Sequence, residues 1–245
     1  MKRTRFAAEK RERIKNGNME NLRANHFDEL NDEQKGYGLS AGRGRAVSAG
    51  KLRTAKIIRT ATVPPVFAAL LATILYIAMG DAAFANRFHY AEAIFSLSLL
   101  PLIPYALCAV IPALKKRGRK FERAVALIFS VIGYLMGAAF AFFGGGVQAE
   151  KVMFGTYLCS GLLLAVLSFV FKYRASGHAC GVAGPVAMLT SYLGLAFLPS
   201  ALLLIPIGIS SVRLGRHTYL QFIIGAAVSV AAFIAMRLLI PALGL

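Results

Sequence analysis

Three polar segments interrupt an otherwise apolar chain, and their residue types suit the chemistry of a phosphate ester. The first is Lys116-Arg117-Gly118-Arg119-Lys120-Phe121-Glu122-Arg123. The second is Lys172-Tyr173-Arg174-Ala175-Ser176-Gly177-His178. The third is Ser210-Ser211-Val212-Arg213-Leu214-Gly215-Arg216-His217, continuing to Gln221. Lys and Arg neutralise phosphate oxygens and fork onto them. Backbone amides at the Ser176-Gly177 turn, ahead of a helix, can add anion contacts. His178 and His217 can divide the work of nucleophile and general acid near neutral pH. His217 and Gln221 are four residues apart at the start of the last apolar run, which predicts a shared helical face on which Gln221 fixes the imidazole.

The elements that must position these segments are membrane helices. Of 245 residues, 57% are hydrophobic and only 16% charged, against about 25% charged in a soluble domain. Lys and Arg nevertheless exceed Asp and Glu by 17. A basic and polar chain would suggest nucleic acid, whereas a basic and apolar one suggests a bilayer with charge collected on one side. Cys108, Cys159 and Cys180 are far apart and lie in or beside apolar runs, so they read as reduced membrane residues rather than a disulfide framework.

Residues 1–57 are expected to form a basic, disordered tail, with anionic lipid rather than nucleic acid as its candidate contact. The membrane domain is expected over 58–245. Apolar runs long enough to cross the hydrocarbon layer fall at about 63–84, 93–114, 124–143 and 152–171. A longer apolar region divides near Leu198-Pro199-Ser200 into spans of about 179–195 and 197–209, and a last run covers about 218–240. The predicted fold is thus an all-α polytopic bundle of about six to seven helices. With the tail inside, 25 of the 28 Lys/Arg fall on the cytoplasmic side and three on the other, an orientation that also suits a bacterial-type plasma membrane. Two spans separate the first segment from the second and two the second from the third, so all three return to one face.

On these residues the chain resembles the type 2 phosphatidic acid phosphatase superfamily, membrane phosphatases that work through a phosphohistidine. The family motif is Lys-x6-Arg-Pro, then Pro-Ser-Gly-His, then Ser-Arg-x5-His-x3-Asp. Lys116 and Arg123 keep the first spacing, with Ala124 in place of Pro. Ser176-Gly177-His178 match the second, with Ala175 in place of Pro. Ser210 and His217 match the third, with Ser211 in place of Arg and Gln221 in place of Asp. Leu214-Gly215-Arg216-His217-Thr218 with Gln221 looks like the polyprenyl-diphosphatase-like branches. The similarity covers about 116–225, within a phosphatase-like core at about 115–240.

The resemblance implies His217 as nucleophile and His178 as general acid. Lys116, Arg123, Ser176 and Gly177 would hold phosphate, with Arg213 standing in for the absent Arg and Gln221 orienting His217. It implies a lipid phosphate as partner, either a polyprenyl diphosphate or a phosphatidate-like lipid; no cofactor and no metal are expected, because the three segments lack the carboxylate or Cys/His clusters that hold divalent ions. The alternatives are a catalytically inactive relative that binds or transports a lipid phosphate, and a small structural or transporter subunit. On composition alone Lys115–Lys120 is a topology signal, Arg174 is either a flank or a phosphate contact, and His26 and His89 are polar flanks. Gly133 and Gly137 read as a helix-packing pair, and Pro101 and Pro104 as kinks.

Overall fold

The computed structural model describes residues 53–55, 57–58 and 61–245; nearly all of the basic tail, His26 included, lies outside the described residues. The rest is an all-α membrane bundle. From Pro64 onward the described residues form nine α-helices: α1 Pro64–Met79, α2 Arg87–Ile94, α3 Leu100–Val110, α4 Pro112–Lys115, α5 Gly118–Phe143, α6 Gln148–Phe169, α7 Gly177–Leu193, α8 Leu204–Arg213 and α9 Tyr219–Ala242. Among the described residues, six segments are long and apolar enough to span a bilayer: Pro64–Ala82, Arg87–Val110, Ala124–Phe143, Gln148–Phe169, Leu195–Arg213 and Tyr219–Ala242. Their outward faces carry exposed Leu70, Ile77, Leu135, Val166, Ile234 and Leu238, the surface a helix offers to lipid.

α7 is different. It has 17 residues and packs against α1, α6, α8, α9 and the 3₁₀ segment Leu195–Leu203, so it is buried continuously from His178 to Val186 and again at Met188 and Leu189. Small residues permit the close approach. A methyl group on Gly181 would strike Pro64 of α1, and one on Gly184 would press on Ser229 of α9.

Local sequence explains most helix boundaries. Pro64 and Pro65 open α1, where a missing N–H costs nothing. The Asn86 side chain caps α2 by accepting the N–H groups of Phe88 at 2.8 Å and His89 at 3.3 Å. The second span then widens into a π turn at Phe95–Leu99 before α3. Pro101 and Pro104, expected to kink this span, follow directly and cannot donate backbone hydrogen bonds. Gly133 seats α5 against the Ser96 carbonyl of that turn, and Gly137 seats it under the Phe154 ring of α6, so the Gly-xxx-Gly pair does pack helices.

Several sequence-based boundaries are corrected. The second span begins at Arg87 rather than about 93, and the fourth at Gln148 rather than about 152, because capped helices absorb polar residues into their first turns. The bend expected near Leu198-Pro199-Ser200 falls at Gly194, whose φ of 95° ends α7; Pro199 lies inside the following 3₁₀ helix. His89, expected as an interfacial flank, is buried, with Nδ1 2.7 Å from Glu150 Oε1. Glu92 stands one turn further along, its carboxylate oxygens shielded.

Helix direction places the polar segments. α5 and α6 run antiparallel, pairing Gly137 with Phe154 and Tyr134 with Gly161. α1, α7 and α9 run parallel. Thr62 and Pro64 meet His178 and Gly181, while Ser176, Gly184 and Tyr192 meet Gly225, Ser229 and Arg237 in turn. Their three N-termini therefore lie at one end of the bundle. The His89–Glu150 contact lies at the other.

Candidate functional site

The second polar segment is a built turn. The chain leaves α6 through Lys172, whose φ of 54° is left-handed. Ser176 is fully buried and caps α7, its side chain accepting the Ala179 N–H at 3.2 Å. Its own N–H donates to the Gln221 carbonyl at 2.9 Å. Gly225, one turn further along α9, lies so close to the Ser176 backbone that any side chain there would collide with it. His178 follows in the first turn of α7, 8% exposed, with Nε2 3.0 Å from the Thr62 hydroxyl oxygen just ahead of α1. Gly177 between them is exposed, and a side chain there would meet only Leu164.

The third segment is two helix caps back to back. α8 ends in a Schellman turn: Gly215 at φ 63° donates to the Val212 carbonyl at 2.9 Å and Arg216 to the Ser211 carbonyl at 3.0 Å. Thr218 then opens α9 as a capping box. Its hydroxyl accepts the Gln221 N–H at 3.2 Å, and its N–H donates to Gln221 Oε1 at 3.0 Å. His217 is the single residue between the two caps, half-buried with Nδ1 shielded.

This revises two residue assignments. The shared helical face of His217 and Gln221 does not form, because α9 begins at Tyr219 and His217 precedes its cap; the Gln221 side-chain oxygen serves the cap instead. Arg213 does not take the place of Ser211. The segment is helical through Arg213, and two residues on a helix differ by about 200°: Ser211 is fully buried and Arg213 exposed.

No family model, curated protein or solved structure matches this chain. The resemblance therefore rests on the motif residues themselves, and the geometry bears on them unequally. The second and third segments are joined by the Ser176–Gln221 hydrogen bond and by Phe222, which packs with Ala179, Val182 and Ile207 in a small core beneath the turn. The first segment is on other helices. Lys116 is exposed at the α4–α5 corner, and Arg123 lies early in α5, its side chain outside the described part. α5 packs on α2, α3, α4 and α6. Its register with α6 puts Arg123 level with about residues 168–172, at the same end as His178 but across α6.

Two contributors were not read from the sequence: Thr62, 116 residues from His178, and Gly225. Gly225 sits four residues beyond Gln221, a small-residue spacing that marks close helix packing. Nothing in the sequence around Thr62 announces a partner so distant.

Proposed function

We propose that the protein is an integral-membrane lipid phosphatase that hydrolyses a phosphomonoester or diphosphate of a lipid, a polyprenyl diphosphate or phosphatidate-like molecule, through a phosphohistidine. The observation that carries this reading is the Ser176–Gln221 hydrogen bond, which fixes the turn bearing His178 against the cap junction bearing His217. The two histidines that the chemistry requires are held on one joined scaffold.

The setting suits an anion. Three long parallel helices begin here, and each helix N-terminus carries roughly half a positive charge. Lys116, Arg117, Lys172, Arg174, Arg213 and Arg216 surround this end in the sequence. In the proposed reaction a nitrogen of His217 attacks phosphorus, the bond to the lipid oxygen breaks, and His178 protonates that oxygen. Water then cleaves the phosphohistidine to release phosphate. Lys116 and Arg123 act mainly on rate, by stabilising charge on the phosphate oxygens. The basic balance of the loops supports a cytoplasmic N-terminus.

The second reading is a relative that binds a lipid phosphate without turnover. One observation favours it: the side chain expected to orient His217 is committed to capping α9. Phosphate release from a panel of lipid phosphates by purified protein separates the two. The phosphatase reading expects release from at least one lipid, reduced by three or more orders of magnitude in His217→Ala. Tight binding of those lipids with no release by wild type overturns it in favour of the binder.

A further inference from the structure

Three ionisable side chains meet inside the bundle at the end away from His178. His89, Glu92 and Ser96 recur at spacings of three and four along the second span, which puts them on one helical face. His89 is buried, with Nδ1 2.7 Å from Oε1 of the fully buried Glu150. Glu92 is half-buried, lies beside Ser96, and interacts electrostatically with both Glu150 and His89. Both Glu92 carboxyl oxygens, Glu150 Oε2 and Ser96 Oγ are shielded and have no hydrogen-bond partner among the described residues. We propose that this cluster is a proton-binding site, in which Glu92 takes up and releases the proton and the His89–Glu150 pair is its fixed neighbour.

Charge counting selects the ligand. His89 offsets one negative charge at most, and the cluster holds two carboxyls, so one negative charge is left over unless a proton is bound. A charge left over within a span is costly, and such groups mark ion and proton pathways. Carboxyl oxygens without donors also lack the hydrogen bonds that stabilise the ionised form. An O–H bond formed on a Glu92 oxygen, with the proton taken from water, removes the charge. A metal ion fits less well. Among the described residues no three His, Cys, Asp or Glu side chains converge as ligands, whereas a proton needs one oxygen.

The other titratable groups on the surrounding elements are engaged or directed elsewhere. Tyr76 of α1 stacks on Tyr90, whose hydroxyl is 3.1 Å from that of Thr73. Tyr134 of α5 meets Tyr157 of α6. Arg87 lies over the Phe88 ring, and Asp81 is exposed in the turn before α2. Lys151 follows Glu150 and so points about 100° away around α6. The proton reaches the site from the near aqueous side, since Glu92 lies six residues after the Asn86 cap, about 9 Å along the helix axis. The site is independent of the phosphatase reading.

The test is infrared spectroscopy of full-length protein in lipid nanodiscs, titrated with acid and base. Wild type should show a protonated-carboxyl band near neutral pH, with the amplitude of one group per molecule, that is lost reversibly as pH rises. Glu92→Gln, which keeps the shape, should lack it. Glu92→Asp, which keeps an ionisable carboxyl, should retain it at a shifted frequency. Exchanging sodium for choline in the buffer should leave the wild-type band and its titration unchanged. Absence of the band in wild type overturns the proposal, as does a band that survives in Glu92→Gln or a folded Glu92→Asp protein without one. A wild-type band that grows as sodium is withdrawn also overturns it, and identifies sodium as the ligand. None of these measurements reads phosphate release, so failure of the phosphatase reading leaves their outcome unchanged.

Discussion

The bundle buries two histidines, one at each end, and holds them by different means. His89 is 4% exposed and contacts a carboxylate, Glu150, that is itself fully buried. His178 is 8% exposed and contacts a neutral hydroxyl that already has another acceptor. A hydrogen bond to a carboxylate is shorter and stronger than one to a neutral hydroxyl. The first arrangement ties α2 to α6 and belongs to stability. The second lies at the end where the Ser176 turn meets the Gln221 carbonyl.

The largest separation between the two ends is expected from Glu150→Ala. Removing one partner of a buried pair costs about 3–5 kcal/mol, so the thermal midpoint in detergent should fall sharply. The proposed phosphate release per folded molecule should stay at the wild-type value, and a selective loss of turnover with unchanged midpoint would dissolve the distinction between the ends. Gly225→Leu comes next. The new side chain would strike the Ser176 backbone, and overpacking of this kind costs about 1–3 kcal/mol. Here turnover should fall further than the thermal midpoint predicts, because the collision separates the two histidine segments; a stable, fully active variant would show that the junction is not part of the site. The smallest effect is expected from Gln221→Asp. Because Gln221 Oε1 is taken by the α9 cap, a carboxylate there, which can accept the same bond, should change the proposed phosphate release by less than about threefold and stability by less than about 1 kcal/mol. A large rise in rate would restore the orienting role.

The apolar spans were legible in the sequence because hydrocarbon thickness sets their length, and six of the expected runs overlap the observed ones over most of their course. What was missed lies at their ends. Placing the second and fourth spans too late by six and four residues put His89, Glu92 and Glu150 outside the membrane domain's core, although ionisable residues within a span face the bundle interior and pair with one another. Thr218-x-x-Gln221 is a capping-box pattern in plain sight, yet Gln221 was read as catalytic support because the helix was started one residue too early. Pairings such as Thr62 with His178 depend on which helices run parallel, and that is a property of packing among distant segments rather than of any local spacing.

The π turn at Phe95–Leu99 also determines where the second span can lose a residue. A π turn holds one residue more than regular α-helix requires, so a deletion within 95–99 would leave α2 and α3 presenting the same faces to their neighbours. The same deletion anywhere else in Arg87–Val110 would rotate one half against the other by about 100°, turning either His89 away from Glu150 or Cys108 out toward lipid. Drift in the length of this span is therefore confined to the five residues that α5 grips through Gly133.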